Sequence, residues 1–177
     1  MIQPGKSFPL GATVSSDGVN FSLFSKNSTR VELLLFDHVG DTKPSRVITL
    51  DSRRNRTYHY WHVFVPDLEP GQIYGYRAFG PFEPHRGLRF DPGKVLLDPY
   101  GRAVAVPEQF SRHAAGKPGE NTAVALKSVV ADPHAYDWEG DTPLRHPFAR
   151  TVIYEMHVAG FTRHPNSGLA PATRGTY

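Results

Sequence analysis

Residues 58–79 read YHYWHVFVPDLEPGQIYGYRAF. The first half alternates. Trp61, Val63 and Val65 fall on one side of an extended chain, and Tyr58, Tyr60, His62 and Phe64 on the other. Pro66-Asp67-Leu68-Glu69-Pro70-Gly71 then interrupts, with proline presetting φ and glycine free to take positive φ. Ile73 to Phe79 resumes as a second strand. Two aromatic-rich strands around a turn, with no helical period, argue for antiparallel β-structure.

The same pattern runs upstream. Val19-Asn20-Phe21-Ser22-Leu23 alternates, Val31 to Phe36 is a more apolar strand, and Val47 to Leu50 is a short one. Arg53-Arg54-Asn55-Arg56 forms a polar turn before Tyr58. Strands at this spacing predict an all-β, immunoglobulin-like antiparallel sandwich over residues 1–105. Gly and Pro number 16 each among 177 residues, above the usual ~12% combined, and such a surplus suits many turns.

Downstream, GPFEPHRGLRFDPGKVLLDPYGRAV (residues 80–104) is loop-like around Val95-Leu96-Leu97, ending in a short strand near Arg102 to Val106. Residues 106–150 are polar and broken by prolines, so they read as a linker packed on the domain surface. Residues 151–168, TVIYEMHVAGFTRHPNSG, hold the apolar run Val152 to Val158, which suits a strand buried on both faces.

Composition narrows the function classes. Net charge is +3, and Ser52-Arg53-Arg54-Asn55-Arg56 is the densest basic stretch, so no nucleic-acid partner is expected. There is no cysteine, hence no disulfide scaffold and no thiolate metal site. No run reaches the ~18 apolar residues of a membrane span. The opening MIQPGKSFPLGAT lacks an apolar signal core. A cytoplasmic setting with no membrane partner is the expectation.

Motifs for chemistry are sparse. Gly71, Gly75 and Gly80 do not make a phosphate loop, and no HExxH occurs. His59 and His62 would point to opposite faces of a strand. Asp137 and Glu139 read as solvated charges. No metal or cofactor is expected. Tyr58, Tyr60, Trp61, Tyr74 and Tyr76 form an aromatic set that suits two uses. Flat amphipathic rings lie well against sugars, and they also make good sandwich core. Arg77, a strand arginine among aromatics, could pair with a carboxylate across an interface or reach solvent.

Taken together, several stretches resemble the isoamylase-type glycogen debranching enzymes. They include FPLGAT (8–13), DGVNFSLFS (17–25), VELLLFD (31–37), WHVFVP (61–66), PGQIYGYR (70–77), GPF (80–82), GLRF (87–90), KVLLDPY (94–100) and YDWEGD (136–141). The likeness runs in order along essentially the whole chain. It implies a sandwich similar to family 48 carbohydrate-binding modules, followed by a (β/α)8 barrel of the α-amylase type, with VIYEMHVAGFT as the first barrel strand and residues 151–177 as an incomplete start of that barrel.

By this resemblance the parent cleaves α-1,6 branch points in glycogen or limit dextrins by a retaining double displacement. That chemistry needs two carboxyl groups ~5 Å apart. The family supplies them from later barrel strands, so no residue here is assigned as catalytic, and this chain alone is expected to be inactive. Glu155 does not match either catalytic motif and reads as barrel interior or a loop anchor. The expected partners are α-glucan and the missing barrel, with Arg77, Asp98, Tyr100, Tyr154 and Glu155 as interface candidates. A stand-alone glucan-binding or structural sandwich is the alternative. So is the N-terminal part of a trehalose-forming hydrolase or branching enzyme.

Overall fold

The alternating segments become the long strands of the fold. In the computed structural model, which describes residues 2–176, the strands are β1 (Gly11–Ser15), β2 (Gly18–Phe24), β3 (Arg30–Phe36), β4 (Arg46–Leu50), β5 (Arg56–Thr57), β6 (Tyr60–Pro66) and β7 (Ile73–Phe79). Then come the small hairpin β8 (Phe82–Glu83) and β9 (Leu88–Arg89), β10 (Ala103–Ala105), the one-turn helix α1 (Arg112–Gly116), β11 (Lys127–Val129) and the short helix α2 (Val158–Arg163). One sheet has the order β1-β2-β6-β5 and the other β10-β11-β7-β3-β4, with every pairing antiparallel. Consecutive strands β6 and β7 belong to different sheets, so the turn at 66–72 carries the chain from one layer to the other.

Period-2 alternation decides what lies between the layers. Val19, Phe21 and Leu23 of β2 and Trp61, Val63 and Val65 of β6 meet Val31, Leu33 and Leu35 of β3 and Tyr74 and Tyr76 of β7. Burying each such side chain contributes about 1.5–3 kcal/mol. Phe21 meets Tyr74 edge-on, centroids 5.0 Å apart, the arrangement that ring quadrupoles favour.

Part of each outer face is covered by the chain itself, which the alternating pattern did not announce. On the first sheet, residues 3–7 lie across β2 and β6. Gln3 bridges Phe64. The Lys6 amide donates to Asn20 Oδ1 (2.7 Å), Asn20 Nδ2 donates to the Lys6 carbonyl (3.0 Å), and the Ser22 hydroxyl donates to the Ser7 carbonyl (2.7 Å). His62 is buried beneath this strap. Its Nδ1–H donates to the Pro4 carbonyl at 2.9 Å, which leaves Nε2 to accept the Thr57 hydroxyl at 2.9 Å.

On the second sheet, Leu34 and Phe36 pack with Ile73, Val95 and Ala125. Leu96 exchanges two backbone hydrogen bonds with Tyr76. Gly75 permits that approach, because a Cβ there would sit 2.8 Å from Val95 Cγ1 and 3.2 Å from the Leu96 carbonyl.

Two expectations from the sequence are corrected. Residues 106–150 are not all linker: β11 lies between β7 and β10, and the first of two units extends to Tyr136 rather than ending at 105. The signal was hidden because β11 centres on Lys127-Ser128. Lys127 is fully buried, with Nζ donating to the Val39 and Thr122 carbonyls at 2.6 Å each, 4.7 Å from the centre of the Phe36 ring. Those two carbonyls satisfy the ammonium as acceptors where water cannot reach it, while burial holds its pKa down.

The second correction concerns residues 151–157, which form no strand. The second unit, from Asp137 on, contains no strand among its described residues, and Val158 opens α2 instead. Val152 is 92% exposed and Ile153 79%. An apolar run becomes a strand only where another strand supplies the hydrogen-bond ladder, and none does here.

Candidate functional site: an aromatic ridge beside a cavity

The turn from β5 into β6 presents rings to solvent. Tyr58 has φ +58°, a left-handed conformation rare for a bulky side chain. Arg56 braces it, with Nε donating to the Tyr58 carbonyl at 2.9 Å and Nη2 to the Lys26 carbonyl at 3.3 Å. The Arg56 guanidinium lies 4.9 Å from the centre of the Trp61 ring, a cation–π contact. The Ser25 amide donates to the His59 carbonyl at 2.9 Å, which ties the turn to the end of β2.

Four rings result. Tyr58, 77% exposed, lies over His59 with centroids 3.8 Å apart. Phe24 stands edge-on to His59 at 6.1 Å and to Tyr60 at 5.4 Å. Phe24 and Tyr60 face each other directly in the β2–β6 ladder. Phe24 also lines a cavity of about 500 Å³ bounded by Leu23, Tyr76, Ala78, Leu88, Phe90 and Leu96, among others.

The five rings expected as glucan contacts therefore divide. Tyr58 and Tyr60 are on the surface, Tyr60 half-buried. Trp61, Tyr74 and Tyr76 are core, no more than 2% exposed. For those three the sugar-contact expectation is corrected, because their strand positions point between the sheets. Phe24 and His59 were missed. Phe24 continues the outward register of β2, but only the pairing of β2 with β6 shows which rings it meets.

The interface candidates also separate. Asp98 is buried and belongs to the sandwich. It accepts the Tyr74 hydroxyl and the Tyr100 amide, each at 2.8 Å, and its own amide donates to Ser128 Oγ at 3.0 Å. Burial raises its pKa, while the Tyr100 and Tyr74 donors pull it back. The same burial, with the Asp98 charge adding to it, pushes the Tyr74 and Tyr76 hydroxyls far up, so both remain protonated. Arg77 faces outward on β7, 3.5 Å from Glu32, which is also 3.5 Å from Arg30. Its carboxylate partner is thus on the neighbouring strand. Tyr100 is 46% exposed. Tyr154 and Glu155 are exposed in the second unit.

A sandwich of this topology matches a known family. The profile of carbohydrate-binding module 48, the isoamylase N-terminal domain, covers residues 9–101. The chain belongs to the carbohydrate-binding module 48 family. Over 98% of its length it is 42% identical to a glycogen debranching enzyme of Dickeya chrysanthemi, and over 98% it is 45% identical to that of Salmonella typhi.

The chain spans 26% of the length of each of these relatives. Among solved structures, pullulanase from Bacillus acidopullulyticus superposes with TM-score 0.59 at 22% identity, over 94% of this chain and 17% of that one. Pullulanase from Paenibacillus barengoltzii, in complex with maltohexaose and α-cyclodextrin, superposes with TM-score 0.55 at 23% identity, over 96% and 22%. At that identity the likeness speaks for the fold.

Proposed function

We propose that this chain is the N-terminal part of an α-1,6-glucan debranching hydrolase. Its module holds α-glucan on the ridge of Phe24, Tyr58, His59 and Tyr60, while a barrel outside these residues cuts the branch point. The observation that carries this reading is the 45% identity along almost the whole chain to a glycogen debranching enzyme. The ridge adds a physical reason, since exposed flat rings offer stacking area to the apolar faces of glucosyl units. The exposed apolar residues of the second unit, Val152, Ile153 and Tyr154 among them, are the surface such a barrel would cover.

Affinity electrophoresis through glycogen-containing gels tests the binding role. The chain should be retarded, and Tyr58→Ala with Tyr60→Ala should run freely while keeping its melting temperature. Unchanged retardation of that variant would refute the ridge. A reducing-end assay on glycogen tests the division of labour, and chain release by these 177 residues alone would refute it.

A further inference from the structure

One face of the His59 ring is already taken. Tyr58 lies over it, with centroids 3.8 Å apart and planes tilted by 38°. Tyr58 is the outer ring of the pair, 77% exposed, while His59 is half-buried. Phe24 stands perpendicular to the imidazole. Tyr58 therefore offers the plate, and what His59 has left to offer is an edge that carries its nitrogens.

The two nitrogens differ. Nδ1 is enclosed and has no hydrogen-bond partner among the described residues. Nε2 is not enclosed, and no protein group bonds to it among the described residues. A neutral imidazole carries one N–H and one lone pair. Buried N–H groups are left without a partner more rarely than buried acceptors are. The enclosed Nδ1 thus keeps the lone pair, and the proton sits on Nε2. The ridge carries an N–H donor, open to solvent, among its rings.

Stacking alone accepts any flat apolar face. A sugar differs by the hydroxyls around its rim, and a fixed donor beside the plate reads them. A glucosyl unit on the outer side of Tyr58 is a ring's thickness away from His59, so the acceptor belongs to the next unit of the chain.

We infer that the His59 Nε2–H donates to a hydroxyl oxygen of that next glucosyl unit, which makes His59 the residue that selects a glucan chain over other flat molecules. The inference rests on the glucan-binding reading above and deepens it, by dividing the ridge into a plate, Tyr58, and a donor, His59.

The test uses maltohexaose and the 177-residue chain. His59→Phe keeps a ring beneath Tyr58 and removes the donor. Its melting temperature should match that of the parent, while calorimetry should show maltohexaose affinity falling about threefold to tenfold. Parent-like affinity in this variant would overturn the donor and leave the ridge intact.

Long-range proton–nitrogen correlation spectra of the unmutated protein supply a second readout that does not depend on the variant folding. Recorded above the ordinary imidazole titration range, they should show His59 in its Nε2–H form, and the Nε2 resonance should move when maltohexaose is added. The Nδ1–H form, or an Nε2 resonance that maltohexaose leaves in place, would overturn the inference. Absence of binding of the parent chain to both glycogen and maltohexaose would overturn both readings together.

Discussion

At the scale of single residues, two side chains carry the most specific consequences. Tyr58 sits where glycine would be at ease, and an L-residue in that conformation costs about 1–2 kcal/mol. Tyr58→Gly should therefore leave unfolding free energy within about 1 kcal/mol of the parent, because the relief offsets the entropy of a more flexible unfolded chain. The same change should abolish retardation in glycogen gels. Urea denaturation and electrophoresis of one preparation check both halves.

Asp98 makes the second case. Its folded pKa is raised, so the native state binds the proton more tightly than the unfolded chain does. Its contribution to stability is then fully present below the ordinary carboxylate pKa of ~3.9 and is lost as pH rises through the folded pKa. Relative to Asp98→Asn, the parent should lose stability as pH climbs from about 4. A series of urea titrations across pH would show a gap that widens upward, and a gap that narrows would mean that the folded pKa is depressed instead.

Among the elements, β7 depends on close approach by a segment without regular structure. Gly75→Ala would drive a methyl group to 2.8 Å from Val95, while Leu96 is held to Tyr76 by two backbone bonds and cannot retreat. Overpacking of this kind costs about 1–3 kcal/mol. Adding Val95→Ala should recover part of the loss, which a double-mutant cycle of unfolding free energies would record.

This is also the scale at which legibility divides. β2, β3, β4, β6 and β7 were readable because Val19-Asn20-Phe21-Ser22-Leu23 and its like state their faces by alternation. β11 was not, since Lys127 is buried by distant carbonyls of Val39 and Thr122 that no local pattern encodes. Tyr58 and Tyr60 were readable as sharing the face opposite Trp61, but whether that face met solvent or core stayed open, and the turn that lifts Tyr58 off the strand was not legible. Trp61 already shared a face with Val63 and Val65, whereas Tyr74 and Tyr76 became core only when β7 was assigned to the second sheet. Phe24 and His59 entered the ridge through a cross-strand pairing and a turn, both of which are long-range facts.

For the molecule as a whole, the unit boundary at Tyr136 sets the smallest piece that should fold. Residues 1–136 contain both sheets complete, and should match the full chain in melting temperature and in dispersed amide shifts. A version ending at 105 would remove β11, strip β7 of a neighbour and leave β10 with nothing to pair with. It should lose cooperative thermal unfolding by circular dichroism. Equal melting curves for the two truncations would contradict the part assigned to β11.

The brace on Tyr58 has one more consequence. Arg56 fixes its carbonyl, His59 lies beneath its ring, and its backbone is already confined to an uncommon region. Part of the freedom that a surface tyrosine surrenders on meeting a ligand, worth about 0.5–1.5 kcal/mol per side chain, is thereby already restricted by the His59 ring against it. A flat molecule laid on that ring would find less of the side chain left to order.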